Sequence, residues 1–234
     1  MTAQHEVVSH DEWLKARKAF LAKEKAFTKL RDELNAQRRS LPWEPVTKSY
    51  MFEGPEGAES LSDLFAGRSQ LIVYHFMFAP NDTQGCKHCS FWADNFNEII
   101  VHLNQRDVTM LAVSRAPLEK LEAYKKRMGW SFKWVSSGDS TFNYDFYASF
   151  TADEVANKRA LFNFVEQNPG NPDREGISVF HKNEAGELFH TYSSYARGID
   201  LMNTAYNSLD LTPKGRDEGD RGPSWVRRHD EYVK

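Results

Sequence analysis

The chain has 234 residues, with 30 Lys+Arg against 33 Asp+Glu for a formal net charge of −3, and 40% of it is hydrophobic. That length suits one well-filled domain with extensions or two small ones. The apolar share excludes wholesale disorder, and the near-neutral balance argues against a nucleic-acid-binding footprint.

From about 9 to 38 the sequence predicts one long helix, opened by a capping box of Ser9 and Glu12 and closed before Pro42. Trp13, Phe20, Phe27 and Leu34 recur by sevens, with Leu14, Leu21 and Leu30 beside them, on an otherwise charged helix. Such a narrow stripe packs either on the chain's own body or against a second copy, as a homodimer contact. Next come VTKSYMF (46–52), a turn through Gly54 and Pro55, and a short helix at 60–65. QLIVYHFMF (70–78) is a continuous apolar run, expected of a strand buried on both faces. No segment reaches the roughly 18 apolar residues of a membrane helix. The N-terminus also lacks the apolar run of a secretory signal, so a cytoplasmic protein is expected.

The loop APNDTQG (79–85) leads into GCKHCS, and a helix is predicted through CSFWADNFNEIIVHLN (89–104). DVTMLAVS (107–114) is a second buried strand, and Pro117 opens the helix PLEKLEAYKKRM. GISVFHK (176–182), NEAG and ELFHTYSS (187–194) read as a hairpin, followed by a last helix over about 200–208. Buried strands joined by helices imply an α/β protein with a largely parallel sheet covered on both faces, the hairpin adding an antiparallel edge. A Cys-x-x-Cys at the handover from a central strand to a helix completes a thioredoxin-like pattern. The expected layout is a helical extension over 1–42, a thioredoxin-like domain over 43–210 with an aromatic-rich insert at about 129–175, and a charged tail over 211–234.

Cys86 and Cys89 are the only cysteines. A secreted disulfide scaffold needs more of them, and no second Cys pair or His-x3-His completes a zinc site. The sequence therefore predicts a redox dithiol with neither metal nor cofactor. A sulfur at a helix start faces unpaired N–H groups and the positive end of the dipole, which favour the thiolate. Lys87 and His88 add positive charge, and Cys89 stands one turn on, where it can resolve a mixed disulfide. Stabilising the reduced thiolate also makes the pair more oxidising.

The strings SLSDLFAGRSQLIVYHFMF (60–78), GCKHCS, VSRAPLEKLEAYKKRMGW (113–130), FNYDF (142–146), HTYSSYARG (190–198), LDLTPKGRDE (209–218) and WVRRHDEY (225–232) carry a family resemblance. The chain resembles the thioredoxin-like superfamily and, more closely, the uncharacterised bacterial family catalogued as domain of unknown function 899. The resemblance implies a thioredoxin-like fold and places the attacking thiolate on Cys86, but it names no substrate; an unknown thiol or disulfide, or a peroxide, is expected. The chain departs from thioredoxin-like oxidoreductases where REGISVF puts Gly176 or Ile177 in place of their cis-proline. Peroxiredoxin-like members also lack that proline. They carry a threonine three residues and a proline seven residues before the peroxide-attacking cysteine. Thr83 is in that register and Pro80 is one residue out, with Arg115 the candidate to hold the thiolate. Peroxide reduction is therefore an alternative, and a binding protein with an incidental dithiol is another. The aromatic insert either extends the core or walls a pocket over Cys86. In the tail, Trp225 and Tyr232 are expected to pin the segment, while Arg227, Arg228, His229 and Asp230 suggest no site.

Overall fold

The structure, a computed structural model, describes residues 5–233 and divides into two units, 1–42 and 43–234. The first is dominated by α1 (His10–Arg39), whose capping box forms as its sequence predicts: Ser9 Oγ faces the Glu12 amide while the Glu12 carboxylate accepts the Ser9 N–H at 3.0 Å. No residue of α1 is buried, and Phe27 of the apolar stripe is 65% exposed.

The second unit begins with β1 (Glu44–Pro45) and the hairpin of β2 (Met51–Gly54) and β3 (Gly57–Ser60). β4 (Gln70–His75) leads to α2 (Lys87–Ala93) and α3 (Ile100–Asn104), and β5 (Val108–Ser114) to α4 (Leu118–Arg127) and β6 (Trp134–Ser136). The insert holds α5 (Phe142–Asp145), α6 (Ala152–Ala156) and a separate hairpin of β7 (Ala160–Phe162) and β8 (Val165–Gln167). β9 (Gly176–Lys182), β10 (Leu188–Tyr195) and α7 (Thr204–Leu209) close the domain.

Eight strands form one sheet in the order β1-β10-β9-β4-β5-β6-β2-β3. Only the β4–β5 and β5–β6 pairs are parallel. The expected largely parallel sheet is thus parallel only where helical crossovers join the strands, and short local hairpins make the flanks antiparallel. This is a mixed, thioredoxin-like α/β sheet. Strand alternation sends Tyr74, Met110, Ala112 and Trp134 to one face, where α2, α4 and α7 supply Trp92, Leu121 and Tyr206. Leu71, Val73, Leu111, Val113 and Val135 go to the other, beneath Tyr50, Phe65, Phe142 and Phe146. Each fully buried aliphatic or aromatic side chain contributes roughly 1.5–3 kcal/mol. The insert's Trp130 and Phe132 join the first cluster, and Phe150 and Phe162 build a third with Tyr195, so the insert extends the core.

Three expected elements differ. Of the short helix expected at 60–65, Ser60 closes β3 and only Asp63–Phe65 forms a 3-10 turn. The strand from 70 stops at His75, because Met77 turns its backbone toward the cysteine motif. The helix expected over 89–104 breaks after Ala93, where the Asn95 side chain donates to the Phe91 and Trp92 carbonyls at 2.9 and 3.1 Å and closes α2. Among the described residues, no helix is long and apolar enough to cross a membrane.

Candidate dithiol site

Both sulfurs stand at the passage from β4 to α2, and Met77 holds the two ends of the motif. Its carbonyl accepts the Cys86 N–H at 3.1 Å, and its own N–H points at Cys89 Sγ at 3.4 Å. Gly85 admits no side chain, since a Cβ there would lie 2.8 Å from the Phe76 ring and 2.9 Å from that of Tyr124. Ser90 Oγ donates to the Cys86 carbonyl at 2.9 Å and lies 2.9 Å from the Tyr124 hydroxyl.

Both thiols are free, but their surroundings differ. Cys86 is the N-cap residue of α2 and half-buried. Its sulfur makes no short capping bond, yet four donors favour its anion. The neighbouring Cys89 thiol contributes most, ahead of the His88 ring and the backbone N–H groups of Cys89 and His88. Against the opposing effect of burial they bring Cys86 down to about 4. Cys89 is 1% exposed, and burial, followed by its bond to Cys86, pushes its thiol well up. One sulfur therefore favours the thiolate and its partner the thiol. The Cys86 sulfur also raises the His88 pKa, and the Pro223 carbonyl, 3.2 Å from Nε2, assists, while Lys87 opposes.

Two further groups complete the surroundings. Tyr74 is fully buried beside Cys89, and burial, then its neighbour Cys89, raise its phenol far up. Glu175 lies just before β9, in the stretch where the cis-proline was expected, and no cis peptide occurs among the described residues. Burial raises its carboxyl, with Cys86 adding to the shift and Arg174 and His88 opposing it. Gly176 is required beside it, because a Cβ there would collide with the Tyr195 ring. Glu175, Trp92, Tyr206 and Pro223 line a cavity of about 470 Å³.

Of the residues singled out in the sequence, the structure brings Cys86, Cys89 and His88 together. Thr83 is exposed on the loop. Arg115 is committed elsewhere: Nε and Nη2 each donate to Asp173 at 2.9 Å, and Nη1 donates to the Tyr144 hydroxyl at 2.9 Å. Asp173 also accepts from Ser149 at 2.6 Å, so this arginine fastens the end of β5 to the insert. Among the described residues, no group of three His, Cys, Asp or Glu side chains is placed to hold a metal ion.

Residues of the tail also lie against the motif. Besides the Pro223 contact, Arg228 donates through Nε to the Tyr124 hydroxyl at 2.8 Å and through Nη2 to the Gly85 carbonyl at 2.6 Å. Arg228, which the sequence gives no reason to place near the motif, thus contacts the residue just before Cys86. Nothing in the local pattern WVRRHDEY distinguishes Arg228 from Arg227. Glu175 did have a sequence signal, its place beside the missing proline.

The chain is similar to several solved structures. Peroxiredoxin Q of Xanthomonas campestris is 15% identical over 74% of this chain and 99% of its own, with a TM-score of 0.49. Peroxidoxin BcpB of Mycobacterium tuberculosis is 11% identical over 72% of this chain and 97% of its own, with a TM-score of 0.45. The mitochondrial 2-cys peroxiredoxin of Plasmodium falciparum is 13% identical over 72% and 93%, with a TM-score of 0.42. No curated protein matches the sequence. Residues 2–232 match the family described as a bacterial protein of unknown function (DUF899), and the chain belongs to that family.

Proposed function

We propose that the protein is a thiol–disulfide oxidoreductase in which Cys86 attacks and Cys89 resolves. The observation that carries this reading is the split between the two sulfurs at the start of α2: a half-buried one whose surroundings favour the thiolate and, one turn away, a buried one whose surroundings favour the thiol. In the first step the Cys86 thiolate displaces one sulfur of a substrate disulfide, which leaves as a thiolate, and a mixed disulfide forms. Cys89 then loses its proton and attacks Cys86 Sγ, forming the Cys86–Cys89 disulfide and releasing the second substrate thiolate. Two electrons pass from the dithiol to the substrate, and the reverse sequence oxidises a substrate dithiol.

A second reading rests on REGISVF, where Gly176 or Ile177 stands in place of the docking proline. With a peroxide as oxidant, the Cys86 thiolate takes one oxygen to become a sulfenate and releases an alcohol or water, and a proton from solvent then gives the sulfenic acid. Cys89 then condenses with it, releasing water. Thr83 and Arg115 lend this reading no support, since one is exposed and the other paired with Asp173.

Cys89→Ser protein, reduced and mixed separately with 2-hydroxyethyl disulfide and with hydrogen peroxide, tests both readings by mass spectrometry. Rapid accumulation of a mixed disulfide on Cys86 is expected. Rapid sulfenate formation with slow disulfide exchange would shift the assignment to peroxide, and free-thiol rates with both would end the redox reading.

A further inference from the structure

The tail is not a loose appendage. Glu218 Oε1 accepts the Tyr206 hydroxyl at 2.7 Å and the Trp225 Nε1–H at 2.8 Å. Trp225 meets the Phe91 ring edge-on at 5.5 Å, and Val226 is completely buried. His229 lies 2.7 Å from Asp94, and Arg127 grips Asp230 at 2.7 Å. The segment thus runs across α2 and α4, fastened on both sides of the cysteine motif. The Arg228 side chain is only 11% exposed. A buried guanidinium is costly unless its donors are satisfied, and here Tyr124, the Gly85 carbonyl and Glu231 satisfy them.

We propose that the segment from Gly222 to Arg228 is a working part of the dithiol site, with the Pro223 carbonyl and the Arg228 guanidinium as positioning groups for His88 and Cys86. This rests on the reading of Cys86 as the attacking thiolate. A carbonyl oxygen can only accept, so its partner, His88 Nε2, carries a hydrogen in every protonation state. In the neutral ring Nδ1 is then the free base. It takes the proton of the Cys86 thiol, and the resulting imidazolium donates to the thiolate while Nε2 stays on Pro223. Arg228 acts on the backbone. It holds the carbonyl just before Cys86 and, through Tyr124 and Ser90, the carbonyl of Cys86 itself, so both peptide groups flanking the sulfur are fixed.

Gly222 makes the Pro223 contact possible. Its φ of 51° and ψ of −146° lie in a region that side chains other than hydrogen rarely enter. Gly222→Ala must therefore rotate the chain and carry the Pro223 carbonyl away from His88. The other charged or titratable groups facing this cluster are Lys87, Cys89, Tyr74, Tyr124, Arg127, Arg174, Glu175 and Glu231, and Gly222→Ala replaces none of them.

The test is the pH dependence of Cys86 alkylation by iodoacetamide, in a Cys89→Ser background, for otherwise unchanged protein and for Gly222→Ala, Arg228→Met and His88→Phe. Gly222→Ala and Arg228→Met are each expected to raise the midpoint by about one pH unit, a tenfold change in the ionisation equilibrium. In the His88→Phe background, Gly222→Ala is expected to have no further effect. A low midpoint unchanged by both variants would overturn the role of the tail and leave the thiolate reading intact. An ordinary thiol midpoint, near 8.5, in the unvaried tail would instead end the thiolate reading. Should the variants fail to fold, nitrogen NMR of the His88 ring in the full-length protein decides the matter. An Nε2–H tautomer on deprotonation supports the inference, and an Nδ1–H tautomer refutes it.

Discussion

The Met77 amide points at the sulfur of Cys89, 3.4 Å away, from the stretch of chain that leaves β4. A donor on that side leaves the thiol hydrogen of Cys89 for Cys86, which is the largest influence lowering the Cys86 pKa. The protonation of the pair is thus set by the backbone of the preceding strand as well as by the start of α2.

Cys86 should react as a thiolate at neutral pH and below. In Cys89→Ser protein the donated S–H becomes an O–H of similar reach, so iodoacetamide alkylation should stay fast well under the ordinary thiol midpoint of about 8.5. Cys86→Ser should abolish labelling altogether, because Cys89 is buried and protonated.

Replacing His88 should make the disulfide harder to reduce. His88→Phe removes a donor to the Cys86 anion and so destabilises the reduced form. Each unit by which the Cys86 pKa rises corresponds to about 1.4 kcal/mol, or roughly 30 mV toward more negative potential. Equilibration against glutathione reads this shift, and with His88 present the potential should lie above the roughly −270 mV of a thioredoxin.

The stability difference between reduced protein and Cys86→Ala should follow the thiolate–imidazolium pair. The folded pair holds one proton fewer than the unfolded chain between about pH 4, the folded Cys86 value, and about 6.5, where an unfolded histidine titrates. The advantage of the native cysteine should therefore grow with pH across that window. Just above it the rise should flatten, because the folded His88, its pKa raised, still holds its proton while the unfolded cysteine holds its own. Melting temperatures measured across this range check the sign.

Arg115→Met should destabilise the fold without changing Cys86 labelling. The Arg115–Asp173 side chains are 16% and 12% exposed, and stranding one member of a buried pair costs about 3 kcal/mol. Loss of thiolate reactivity in a folded Arg115→Met protein would reassign the arginine to the site.

Gly85→Ala should cost about 1–3 kcal/mol through overpacking against Phe76 and Tyr124, and should also slow alkylation by displacing the residue before Cys86. Thermal melts and labelling rates on the same sample separate the two effects.

Local chemistry made much of the architecture legible. The Ser9–Glu12 box, the buried strand from Gln70, the hairpin of Gly176–Lys182 with Leu188–Tyr195, and the handover of a central strand to the cysteine helix all depend on neighbours in the chain. Less legible were the two-residue strand at Glu44–Pro45, the short strand Trp134–Ser136 and the break after Ala93, because short segments take their conformation from the partners they meet. The cysteine pair and its histidine were readable because the start of one helix brings them together.

What the sequence alone determined is the dithiol and the strand–helix frame that presents it, since both follow from contacts within a few residues. Only tertiary structure decided the company the sulfurs keep. Arg115, close in the expected topology, was taken by an aspartate 58 positions away, while Arg228, 143 positions beyond Gly85, came to lie against it. Charged side chains find whichever partner the packed surface leaves nearest, and sequence spacing carries no record of that competition.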